Sequence, residues 1–117
     1  MSQILEISAL ELKRKLDERD TGGVSFILLD VRNENESEIC TIHGTDFLIP
    51  VKLLKSRISE LTENILLDTE IVVYCKSGVR SITGVEILLE TGFKKVSHLE
   101  GGILSYIRDV APDLPEY

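Results

Sequence analysis

Short apolar runs that alternate with segments of helical periodicity constrain the fold of this chain more than any other feature. Three runs, at residues 26–29, 47–49 and 71–74, are continuous, which is typical of a strand buried on both faces of a sheet. A last strand is predicted near residues 96–99. Strands that alternate with helices imply a parallel sheet covered by helices on both faces, so the pattern predicts an α/β fold.

Four helices are predicted around these runs. Ser8 followed by Glu11 is a capping-box pattern, which predicts a helix over residues 9–19. Apolar residues recur at helical spacing in three later segments: residues 53–61, residues 82–89, which precede Gly92, and residues 103–110.

Length and composition restrict the class of protein. The 117 residues are enough for one domain, so residues 1–117 are expected to form a single domain with an apolar core. The net charge of −7 would repel a phosphate backbone, which argues against nucleic acid as a partner. Because no apolar run could span a bilayer and no signal-peptide pattern begins the chain, we expect no membrane partner and a cytoplasmic location.

Cys75 follows a predicted buried strand, and ligands of open parallel sheets bind beyond the carboxyl ends of the strands. Gly78 tolerates positive φ, and the next helix begins with N–H groups that lack intrahelical partners, so the loop can direct several N–H groups at one point. Lys76 and Arg80 add positive charge. The pattern predicts a nucleophilic thiolate at Cys75, with a small apolar residue at a strand end as the alternative.

The loop sequence CKSGVRS, residues 75–81, resembles the active-site loop of the rhodanese family of sulfurtransferases. Further matches fall in the order and spacing of that family: Asp30-Val31-Arg32 at its D-V-R motif, Glu36 at its acidic position, Gly44, Pro50, Gly92-Phe93 and Gly101-Gly102. Together they span nearly the whole chain and imply the three-layer rhodanese-like fold.

The resemblance implies a covalent cycle without an organic cofactor or a metal. Cys75 would take a sulfane sulfur from thiosulfate or a cysteine desulfurase, become a persulfide and pass the sulfur to a nucleophile. The persulfide-binding residues would be those of the loop: Lys76, Ser77, Gly78, Val79 and Arg80.

Two interpretations are open for Arg80, and two for the region of Asp30, Arg32 and Glu36. Arg80 would, by the resemblance, orient an anionic donor or acceptor, or it could be a helix-start arginine bonded to a carboxylate. Asp30 could tune the site from its strand end. An ion pair between Arg32 and Glu36 that fixes the loop is the alternative use of this region.

The end of the chain, residues 110–117, resembles the ending of rhodanese domains fused to MoeB/ThiF-type adenylyltransferases, as does Cys40. This implies a sulfur-carrier protein as acceptor, whose C-terminus becomes a thiocarboxylate in molybdopterin, thiamine or tRNA thiolation. The chain would then be a fragment of such a fusion or a free-standing relative. Cys40-Thr41 in place of Gly-His, and Tyr106 in place of Trp, depart from the wider rhodanese pattern.

Several other interpretations stay open at this point. A cysteine phosphatase or arsenate reductase also uses a Cys-to-Arg loop, although phosphatase loops place one more residue between the two. A binding or regulatory module without turnover could retain the fold. Zinc could bind among Cys40, His43, Cys75 and His98. Cys40 could also resolve the persulfide or form a disulfide with Cys75, or be a small buried residue.

Overall fold

The strands of the chain form one parallel sheet. The computed structural model describes residues 4–117. The sheet has five strands in the spatial order β1-β5-β4-β2-β3, and every adjacent pair is parallel. The strands are β1 (Leu5–Ile7), β2 (Ile27–Asp30), β3 (Phe47–Leu48), β4 (Glu70–Tyr74) and β5 (Lys95–Leu99).

Helices cover both faces of this sheet, as predicted. They are α1 (Ala9–Asp20), α2 (Glu34–Ile39), α3 (Ser59–Thr62), α4 (Arg80–Thr91) and α5 (Gly102–Asp109), with a 3-10 turn at Val51–Leu53. No helix within residues 4–117 is long and apolar enough to cross a membrane.

Two apolar cores explain why the strands read as continuous apolar runs. Leu28 belongs to the core under α1 and α5, whereas its neighbour Leu29 belongs to the core under α3 and α4. Val72 and Val73 divide in the same way. Since successive side chains of a strand point to opposite faces, a strand between two helical layers must be apolar at nearly every position. The three-layer α/β prediction is confirmed.

The helix boundaries follow local signals where those signals are strong. Ser8 accepts the Glu11 N–H at 3.1 Å and Glu11 accepts the Ser8 N–H at 3.1 Å, so the predicted capping box begins α1. Gly92 ends α4 in the left-handed region, with φ of 116°. Both features are set by residues within one turn of the helix end.

Three elements differ from the predictions for physical reasons. Strand β1 is a three-residue edge strand with no buried side chain, and α2 is polar on most of its surface, so neither gives a continuous apolar run. The predicted helix at residues 53–61 is wrong over most of its length. Leu54 and Leu61 are buried, but a 3-10 turn and the four-residue α3 reach those positions without a continuous helix.

The start of α5 holds the residues that follow β4. The N–H of Ile103 donates to the carbonyl oxygen of Cys75 at 2.9 Å, and that of Leu104 donates to Lys76 at 3.1 Å. Gly102 makes this approach possible. Its φ is +62°, and a Cβ there would overlap the Lys76 carbonyl and lie 2.7 Å from the Cys75 carbonyl oxygen. A side chain at position 102 would therefore collide with the backbone next to Cys75, which explains the glycine there.

Replacement of Gly102 by Ala should destabilise the protein by about 3 kcal/mol or more, because the clash adds to the cost of positive φ. Gly22→Ala is the matched control, since Gly22 has φ of +81° with nothing within 4 Å of the added Cβ. The control should lose only about 1 kcal/mol. Urea unfolding measures both variants, and equal losses would contradict the steric explanation.

Candidate active site

Cys75 lies directly after β4 with its side chain buried, at 1% relative exposure. Two backbone N–H groups donate to its Sγ, from Gly78 at 3.2 Å and from Ser81 at 3.3 Å. Gly78 has φ of +100°, which turns the chain back over the sulfur. Ser81 is in the first turn of α4, where N–H groups have no intrahelical acceptor. The sulfur thus occupies a small nest of backbone donors that favours negative charge.

The five predicted persulfide-binding residues, 76–80, do not all contact the sulfur through their backbone. Gly78 is the one among them whose N–H donates to Sγ. The Lys76 carbonyl accepts the Leu104 N–H of α5, and Lys76 Nζ lies 4.5 Å from the Tyr117 ring centroid. Ser77 and Val79 are exposed, Val79 at 72%. The second donor, Ser81, lies one residue beyond the predicted set and immediately before the predicted helix at residues 82–89, although it belongs to the loop sequence CKSGVRS.

The Ser81 hydroxyl extends the polar contacts of Cys75 away from the loop. The Cys75 thiol donates to Ser81 Oγ at 3.5 Å, and Ser81 Oγ lies 2.9 Å from His98 Nδ1. His98 Nε2 lies 3.0 Å from Glu6 Oε2. The sequence offered no signal for this set, because Glu6 and His98 are distant in the chain and meet only through the pairing of β1 with β5.

Asp30 and Arg32 pair with each other, and both side chains are fully buried. Arg32 donates to Asp30 through Nη2 at 2.8 Å and Nε at 3.0 Å, and Nη2 also donates to the Cys40 carbonyl at 2.8 Å. The predicted ion pair between Arg32 and Glu36 is wrong. A buried carboxylate without a charged partner would strongly destabilise the fold. Arg32, two residues along the chain, is placed to pair with Asp30.

Glu36 instead pairs with Arg80, at 2.6 Å and 2.9 Å from its two carboxylate oxygens. The Tyr117 hydroxyl donates to Glu36 at 2.7 Å and accepts from Arg32 at 2.9 Å. Hydrogen bonds from Arg80 lower the pKa of Glu36 to about 2, against partial burial that acts to raise it. Burial raises the pKa of Tyr117 to about 12. Of the two predicted uses of Arg80, the structure has the arginine bonded to a carboxylate.

The chain is similar to known proteins along nearly its whole length. The rhodanese-like domain model matches residues 8–109. The chain belongs to the rhodanese-like family. It is 35% identical over 111 residues to the probable adenylyltransferase/sulfurtransferase MoeZ of Mycobacterium tuberculosis, covering 95% of this chain and 26% of the relative. It is 32% identical over 114 residues to the adenylyltransferase and sulfurtransferase MOCS3-1 of Zea mays, covering 95% of this chain and 23% of the relative.

A solved structure supports the same assignment. The rhodanese-related protein from Thermoplasma volcanium superposes on this rhodanese-like domain with a TM-score of 0.73 at 27% identity, covering 92% of this chain and 95% of that one. The chain spans about a quarter of the length of the two curated relatives above.

The two cysteines of the domain are separated by the sheet. Both are free and buried. Cys40 belongs to the core under α1 and α5, and Cys75 to the core under α3 and α4. The structure therefore does not support a Cys40–Cys75 disulfide or a resolving role, and Cys40 is a small buried residue here. Within residues 4–117, no group of three or more His, Cys, Asp or Glu side chains is placed to hold a metal ion.

Replacement of Glu36 by Gln should lower the free energy of unfolding at about pH 7 by about 2 kcal/mol, because Arg80 loses its charged partner. The lowered folded-state pKa sets the pH dependence. The contribution of the carboxylate is fully present above the unfolded value of 4.5 and is lost as the pH falls toward 2. The difference between Glu36→Gln and wild type should therefore shrink below about pH 4.5.

Urea unfolding at about pH 7 and about pH 3 measures this difference. Glu38→Gln is the matched control, since Glu38 is exposed on the same helix, and it should follow wild type at both pH values. A Glu36→Gln deficit that stays constant with pH would show that the charge of Glu36 is not what stabilises the network.

Proposed function

We propose that this rhodanese-like domain is a sulfurtransferase that carries sulfane sulfur on Cys75 as a persulfide. The observation that carries the proposal is the position of Sγ at the end of β4, where the N–H groups of Gly78 and Ser81 both donate to it. Donors fixed in this way stabilise a thiolate and need no rearrangement when charge forms on the sulfur. A purely structural cysteine would not require them.

The reaction can be written with thiosulfate as donor. The Cys75 thiolate attacks the sulfane sulfur, the new Sγ–S bond forms, and the bond from that sulfur to the sulfonate breaks. Sulfite leaves with the bonding electron pair, and Cys75 becomes a persulfide anion. A nucleophilic acceptor then attacks the outer sulfur, and the Cys75 thiolate returns. Neither step as written calls for an organic cofactor or a metal.

Arg80 has a supporting role in this proposal. Its guanidinium is held by both oxygens of Glu36, so binding an anionic substrate directly would require that ion pair to open. We therefore assign persulfide stabilisation to backbone N–H groups, with Arg80 fixing the start of α4. The same pairing argues against a phosphatase, which needs its loop arginine for a phosphate dianion.

The acceptor in this proposal is a sulfur-carrier protein, activated at its C-terminus by an adenylyltransferase. Support comes from the similarity to MoeZ and MOCS3-1, both described as adenylyltransferases and sulfurtransferases. The matching adenylyltransferase would be fused to this domain or act as a separate partner. Sulfur would come from thiosulfate or from a cysteine desulfurase, and the reaction would take place in the cytoplasm.

The test is the intact mass of the protein after incubation with thiosulfate, and separately with a cysteine desulfurase and cysteine. Wild type should gain one sulfur atom, and Cys75→Ser should gain none. Cys40→Ser is the matched control, because Cys40 is the other buried cysteine and should leave loading unchanged. The donor that loads Cys75 faster is the better model of the physiological one.

Failure of a folded wild-type protein to gain sulfur from either donor would contradict the proposal and favour a binding or regulatory module. Loading of Cys75→Ser would place the sulfur on another residue. Circular dichroism confirms that each variant is folded before it is tested.

A further inference from the structure

A continuous series of hydrogen bonds connects the buried thiol of Cys75 to the surface. It runs through Ser81 and His98, which are 0% and 2% exposed, to the side chain of Glu6, which is 51% exposed. The three links are 3.5 Å, 2.9 Å and 3.0 Å long. The series leaves the sulfur on the side of β5 and β1, away from the Glu36–Arg80 ion pair.

The protons of this series can be placed in a single direction. The thiol donates to Ser81 Oγ. The Ser81 hydroxyl then donates to His98 Nδ1, which leaves the ring proton on Nε2 to donate to the Glu6 carboxylate. A carboxylate that fixes the tautomer of a histidine, whose other nitrogen accepts from a serine, is the arrangement that general-base catalysis uses.

We propose that Ser81, His98 and Glu6 form a proton relay that removes the Cys75 thiol proton when the sulfur is activated; the inference rests on the proposed sulfurtransferase function. The thiol proton passes to Ser81 Oγ as the serine proton passes to His98 Nδ1. The products are a thiolate, an unchanged serine and an imidazolium beside the Glu6 carboxylate. The positive imidazolium remains through sulfur transfer and balances the persulfide anion.

The other groups around Cys75 cannot accept this proton. The backbone contacts from Gly78 and Ser81 are N–H donors. Arg80, whose charge interacts with Cys75, stays protonated. Its partner Glu36 already accepts two hydrogen bonds from Arg80, one from the Tyr117 hydroxyl and one from the Asn33 N–H. Among the described residues, Ser81 Oγ is the acceptor that the thiol contacts. The proton therefore has one route that ends at a titratable group, which is His98.

The charged and titratable groups that face the relay come from four elements. Glu6 of β1 contacts His98, Cys75 follows β4, and Arg80 begins α4, where Glu36 of α2 balances it. Since Arg80 and Glu36 pair with each other, Glu6 is the charged group in contact with the His98 ring. Ser81 contacts the reacting sulfur and transfers its proton, whereas His98 and Glu6 are positioning residues that act through Ser81.

The first measurement is the ultraviolet absorbance of the Cys75 thiolate as a function of pH, in a Cys40→Ser background. The same protein with Cys75→Ala supplies the baseline from the three tyrosines. In His98→Asn, which keeps a hydrogen-bonding group but cannot take up the proton, the measured midpoint of thiolate formation should lie about one pH unit above that of the parent protein, a roughly tenfold loss of thiolate at pH 7.

Ser81→Ala should give a similar shift, because it removes the hydroxyl but leaves the backbone N–H that contacts Sγ. Glu6→Gln should give a smaller loss of roughly two- to fivefold, since Glu6 is half exposed. Glu86→Gln is the matched control, an exposed glutamate on the same helix as Ser81, and should match the parent protein. Thermal unfolding confirms that each variant is folded, and Glu6→Gln, at the surface, tests the relay even if a buried variant does not fold.

The second measurement is the rate at which the same variants gain sulfur from thiosulfate across the pH range. The rates should fall in parallel with the thiolate fraction and recover at high pH, which a general loss of packing would not produce. Normal sulfur loading with unshifted midpoints in all variants would overturn the relay and leave the sulfurtransferase function intact. A shifted midpoint in Ser81→Ala alone would also overturn it, since the serine would then act locally. Shifted midpoints in a protein that gains no sulfur would support the relay and contradict the proposed function.

Discussion

The buried ion pair between Asp30 and Arg32 is the interaction on which the hydrogen-bonded network of Tyr117, Glu36 and Arg80 depends. Both side chains are fully buried, so neither charge could remain without the other and without hydrogen bonds to the rest of the group. Arg32 meets this need by donating to Asp30, to the Cys40 carbonyl and to the Tyr117 hydroxyl. One guanidinium therefore connects the end of β2, the end of α2 and the last residue of the chain.

The Asp30–Arg32 pair also helps to hold the Cys75 loop, residues 75–81. Tyr117 passes the network on to Glu36, and Glu36 fixes Arg80 at the first residue of α4. From the other side, the start of α5 holds the carbonyls of Cys75 and Lys76, which Gly102, the first residue of this helix, allows. The N–H groups that meet at Sγ are thus fixed by elements remote from one another in sequence. Such donors are in position before any charge develops on the sulfur.

The features of this arrangement that the sequence predicts are those determined by residues close together in the chain. The capping box of α1, the left-handed Gly92 and the Cys75 loop each depend on residues within one turn, and the buried strands follow from their apolar runs. The partner of a charged side chain such as Glu36 cannot be predicted from residues close together in the chain. Whether Glu36 pairs with Arg32 or with Arg80 depends on the position of α2 beside the start of α4. The sequence of α2 has no apolar pattern that would predict this position. Glu6 and His98 likewise meet only because β1 lies beside β5, and Ser81 reaches His98 because β4, which leads into α4, is the other neighbour of β5.

The division of charge around Cys75 is compatible with the sulfur-carrying role that we propose for this residue. A free arginine at the sulfur would stabilise the loaded and unloaded anions throughout the cycle, and would hold a dianion such as thiosulfate more strongly than the monoanionic persulfide. Here Arg80 is balanced by Glu36, and the groups in contact with Sγ are neutral dipoles. In the relay we propose, positive charge appears on His98 only when the thiol proton has left Cys75, so the compensating charge forms together with the anion and disappears when the thiol returns.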